Sequence, residues 1–83
     1  VSDHKPLPVA GYNAQSDENV QMVNLNKRTE ERILQLLDIY ATSPDVDARW
    51  LALARTHIEQ GFMAMNRAIF KPQRIKLDEV ERE

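Results

Sequence analysis

Between residues 43 and 70 the apolar positions crowd onto one side of a helical wheel and cover more of it than one partner helix can use. At about 100° per residue, Trp50, Leu51, Leu53, Ala54, His57, Ile58, Gly61, Phe62, Ala64, Met65, Ala68 and Ile69 fall within about half the circumference. A contact with one neighbouring helix needs a stripe nearer about a third of it. The surplus predicts a further cover, and in so short a chain the expected cover is another copy. Ser43-Pro44-Asp45 predicts the start of this helix, with Ser43 as cap, Pro44 at the first helical position and Asp45 in the first turn. Lys71-Pro72 predicts its end.

The stretch before it carries a weaker pattern. Ser16 reads as a helix cap, with Asp17 and Glu18 in the first turn where the helix dipole favours acids. The helical segment expected from it covers 16–41. Asn24-Leu25-Asn26-Lys27 is its poorest helix-forming part, which predicts a break near 24–28. From Thr29 the period strengthens through Ile33, Leu34, Leu36, Leu37 and Tyr40. A short connection to the next helix makes the two antiparallel neighbours. Residues 1–15, with Pro6, Pro8 and Gly11, read as an extended arm, and 73–83 as a charged tail. One all-α domain is expected: an antiparallel helical hairpin with an N-terminal arm and a short or kinked first helix, assembling as a homo-oligomer.

Composition supports the assembly argument. Eighty-three residues are close to the size at which one core barely offsets chain entropy. There is no cysteine, and two histidines, His4 and His57, cannot hold a zinc ion alone. Self-association is the remaining way to bury surface. No apolar run approaches a membrane span, and the first residues do not resemble a signal peptide, so a soluble cytosolic protein is expected. A formal net charge of −2 argues against coating a DNA or RNA polymer, whereas a small anion needs only a few local cations.

Catalysis has little to stand on. The chain offers no thiol nucleophile, no glycine-rich phosphate loop and no metal-ligand spacing, and no cofactor is implied. His57 on the apolar arc reads as a histidine of a helix interface. Gly61 in mid-helix points to close approach by another helix. The arm is richer: Pro-Leu-Pro-Val-Ala-Gly-Tyr places Tyr12 on a glycine turn, with a face to stack on a base and a hydroxyl to hydrogen-bond. The competing reading is a tyrosine that tucks the arm onto the hairpin. Lys27-Arg28 at the start of a new helix would join two cations to free N–H groups, an anion site, and is otherwise a solvated pair at a kink. Arg67 offers a further phosphate contact or is simply solvated.

Two blocks, GYNAQSDENVQMVNLNKRTEERILQLLD from Gly11 to Asp38 and SPDVDARWLALARTHIEQGFMAMNRAIF from Ser43 to Phe70, carry a family likeness. The chain resembles the phage anti-CBASS cyclic-nucleotide sponges of the second described type, whose hairpin domain is shared with a phage anti-Thoeris sponge. The Gly-Tyr turn joined to Val-Asn-x-Asn-Lys and Glu-Glu-x-Ile-Leu points to the anti-CBASS branch. This resemblance implies a non-enzymatic binder in the cytoplasm of the host bacterium. It would capture cyclic dinucleotides such as 3',3'-cGAMP, and cyclic trinucleotides, between the protomers of a homo-oligomer, a hexamer in relatives. By motif match the pocket's tyrosine and lysine fall on Tyr12 and Lys27, with Pro8, Gly11, Asn13 and Arg28 expected beside them. Thr29 and Arg67 are the candidates for a trinucleotide site. Without the resemblance, a small helical oligomer that regulates or binds a protein partner fits the same pattern.

Overall fold

The computed structural model describes residues 14–77. Among these residues two helices form the fold, α1 over Asp17–Tyr40 and α2 over Ala48–Phe70, packed as an antiparallel hairpin. The expected arm up to residue 13 and the end of the charged tail lie outside the described residues. Among those described, no helix is long and apolar enough to cross a membrane.

Ser16 caps α1 by accepting a hydrogen bond from the Asn19 N–H at 3.1 Å, with Asp17 and Glu18 in the first turn. The break predicted near 24–28 is absent, and α1 runs through it as one 24-residue helix. The weak propensities there amount to a few tenths of a kcal/mol per residue, roughly, and tertiary contacts outweigh them. Val23 is one such contact, at 4% exposure. Another comes from the Asn26 amide, which donates to Asn66 Oδ1 across the hairpin at 2.9 Å.

The start of α2 also differs from the sequence expectation. Ser43 is not its cap. Ser43-Pro44-Asp45-Val46 forms a turn in which the Val46 N–H reaches the Ser43 carbonyl at 3.3 Å and the Asp45 N–H reaches the Ser43 hydroxyl at 3.2 Å. Pro44 sets φ for that turn rather than for the helix. Asp47 takes the cap, accepting from the N–H groups of Arg49 and Trp50 at 2.9 and 3.0 Å. Its charge adds a favourable term at the positive end of the helix. Asp47→Ala should therefore cost about 1 kcal/mol by chemical denaturation, and Ser43→Ala distinctly less. An equal loss at both positions would return the cap to Ser43.

At the other end Lys71 adopts a left-handed conformation, φ 48°, and its N–H closes on the Arg67 carbonyl at 2.7 Å before Pro72. Gln15 closes the hairpin there, its side-chain amide donating to the Phe70 carbonyl at 2.8 Å. Near the turn Arg55 pairs with Asp38 at 2.7 Å, a solvated bridge worth at most about 1 kcal/mol.

The seam between the helices is thin. Among the described residues only Val23 and Leu37 are buried, and α2 contributes none. Leu51, Ala54, Ile58, Phe62 and Ile69 are half-buried against α1, while Trp50, His57, Gly61, Ala64, Met65 and Ala68 of the same arc remain exposed. His57 is exposed and lies outside this seam. Apart from Met65, exposed within the half-buried stripe, and Leu53, half-buried at the far edge, the half-circumference arc resolves into one used stripe and one unused stripe.

Candidate functional site

Lys27, Arg28 and Thr29 follow one another in mid-helix, about 100° apart around α1. Because α1 is continuous, their backbone N–H groups lie inside the helix and form no free N-terminal nest. Lys27 acts as a side-chain cation alone, exposed on the flank that carries Asp38. Arg28 is exposed as well. Thr29 is turned about 180° from Asp38, toward the opposite flank. Its hydroxyl donates to the Leu25 carbonyl at 2.9 Å, so toward a phosphate it would serve only after rotating. Arg67 is exposed and stands half a turn around α2 from Ile58, facing away from α1. One chain therefore does not bring Thr29 and Arg67 to one place. Tyr12, Gly11, Asn13 and Pro8 lie outside the described residues.

Two surfaces beyond these residues stand out. The first is a groove of about 480 Å³ at the end of α2, walled by Met63, Ala64, Phe70 and Pro72 and rimmed by Gln15, Gln60, Asn66 and Arg67. Sequence reasoning passed over it, although Met63 lies off the apolar arc of α2 and that position is a signal.

The second is a flank of the hairpin. Measured from Leu37, the exposed residues Met22, Leu36 and Tyr40 lie to one side of the α1 seam and Asp38 to the other. Measured from Ile58, the exposed Trp50, His57, Gly61 and Ala68 lie to one side of the α2 seam and Arg55 to the other. The Asp38–Arg55 bridge joins the second sides, so the two apolar sets open on the same flank. Nothing stands within 4 Å of where a Gly61 Cβ would be, so the hairpin itself gives that glycine no packing reason.

Residues 5–70 match the family model described as Acb2/Tad1, hairpin domain. No curated protein and no solved structure matches the chain. The match runs from the arm through both helices. The chain belongs to the Acb2/Tad1 hairpin family, the non-catalytic nucleotide sponges of anti-CBASS and anti-Thoeris type.

Proposed function

We propose that this member of the family binds cyclic dinucleotides, and cyclic trinucleotides at separate sites, between copies of itself, and holds them unaltered inside the infected bacterium. The family match over 5–70 carries this reading, because it spans Tyr12 and Lys27 together. A cyclic dinucleotide offers two bases to stack and two phosphates to neutralise. A tyrosine face and an exposed lysine meet both needs. A two-helix chain is too thin to enclose such a ligand, whereas the space between copies can. Thr29 and Arg67, which one chain holds apart, would meet only where copies converge, and a trinucleotide site between protomers accounts for both.

Assembly as a homo-oligomer, a hexamer by the resemblance, also accounts for the exposed flank and for Gly61. Gly61→Ala offers a test. In an isolated hairpin the added methyl meets open space and should stabilise the helix by about 1 kcal/mol. Where a second helix approaches the bare backbone, the same methyl should weaken assembly instead. Sedimentation of the variant against the parent over a dilution series separates the two, and weaker assembly is the expected result.

Sequestration is tested by incubating the protein with a panel of cyclic oligonucleotides, filtering, and heating the retained fraction. Intact cyclic ligand should be released and should activate its effector again. Recovery of linear dinucleotide would make the chain an enzyme. Failure to retain any cyclic nucleotide would favour the protein-partner reading.

A further inference from the structure

We propose that the groove at the end of α2 seats this chain's own N-terminal segment, with Leu7 and Val9 as its anchors. Gln15 forms part of the groove's rim, and its amide is fixed to the Phe70 carbonyl at 2.8 Å. Asn19 donates to the Gln15 side-chain oxygen at 3.1 Å, so the point where the chain enters α1 is held at the groove from two sides.

The chemistry of the segment fits the wall it would meet. Pro6-Leu7-Pro8-Val9 is an apolar run, and Met63, 66% exposed, together with Phe70 and Pro72, offers an apolar wall. Two prolines favour an extended polyproline conformation, which makes no internal hydrogen bonds and presents carbonyls in need of donors. The Gln60 amide and the Arg67 guanidinium on the rim are such donors. Proline-rich segments bind aromatic-lined grooves in this way because little conformational freedom is left to lose.

Length also agrees. Val9 precedes Ala14 by five residues, a reach of roughly 17 Å in extended form. The groove runs along α2 from Phe70 to Gln60, roughly 15 Å of helix. A segment tethered at the rim has an effective concentration that a separate peptide lacks, which favours the chain's own arm over any other occupant. The seat belongs to the free chain and does not rest on the nucleotide reading. It would, however, fix the position of Tyr12, two residues before Ala14.

The chain has no cysteine and three methionines, which allows a clean test on the full-length protein. A nitroxide on Lys5→Cys should relax the Met63 methyl several-fold faster than those of Met65 and Met22, which lie off the groove. Adding Leu7→Ser and Val9→Ser should abolish that difference. Equal effects at all three methyls, or none at Met63, would overturn the proposal. A co-refolded mixture, with nitroxide on one set of chains and isotope on the other, identifies whose arm is bound. Relaxation of Met63 only in that mixture would assign the groove to a second copy and overturn the own-arm seat.

Discussion

Tyr12→Ala and Lys27→Ala should each weaken cyclic-dinucleotide binding by roughly tenfold to a hundredfold while leaving the hairpin folded and assembled. A lost stacking aromatic costs about 1–3 kcal/mol per base. A lost charge-assisted phosphate contact costs about 1.5–3 kcal/mol. The continuous α1 sharpens the lysine half of this expectation. Lys27 is exposed and outside the seam, so its removal leaves packing untouched. It also has no helix N-terminus behind it, so the ligand contact rests on one side-chain charge. Lys27→Arg should then retain most of the affinity and Lys27→Gln should not. Calorimetry with one cyclic dinucleotide, alongside thermal melts of the same variants, reads both quantities. Parental binding by both alanine variants would place the pocket elsewhere. Unfolding of both would make the residues structural.

The hairpin was legible because its signals are local and periodic. Ser16 with two acids behind it, and Lys71-Pro72 after Phe70, mark helix ends by backbone chemistry that needs no tertiary context. What failed needed that context. Propensity at Asn24 to Lys27 predicted a break, yet Asn26 is tied to Asn66, forty residues away, and no local window contains that bond. Ser43-Pro44 is an equally good opening for a helix or for a turn. Asp47, a stronger cap four residues later, decided between them. Of the candidate site, the sequence supplied residue types without their directions. The unbroken helix turns Lys27 and Thr29 to opposite flanks, and only the continuity of α1 reveals it. The width of the apolar arc on α2 follows from residue spacing alone, whereas its division into seam and flank depends on where α1 lies.

That division sets up a matched pair of substitutions with a large expected difference. Thr56 and His57 are adjacent, both exposed in the hairpin, and about 100° apart around α2. Thr56 faces away from α1, and His57 lies on the apolar flank with Trp50, Gly61 and Ala68. Were the hairpin a monomer, a glutamate at either position would change stability by about 0.5 kcal/mol or less. In an assembly built on the flank, His57→Glu places a carboxylate against apolar surface, at a cost of several kcal/mol, roughly, while Thr56→Glu stays in water. With only Val23 and Leu37 buried among the described residues, the released chain has too little core to persist. His57→Glu should thus lose assembly and helical content together, and Thr56→Glu should keep both. Light scattering and circular dichroism at micromolar concentration read the pair. A folded monomer from His57→Glu would show that the hairpin stands alone, and two variants as large as the parent would move the interface off this flank.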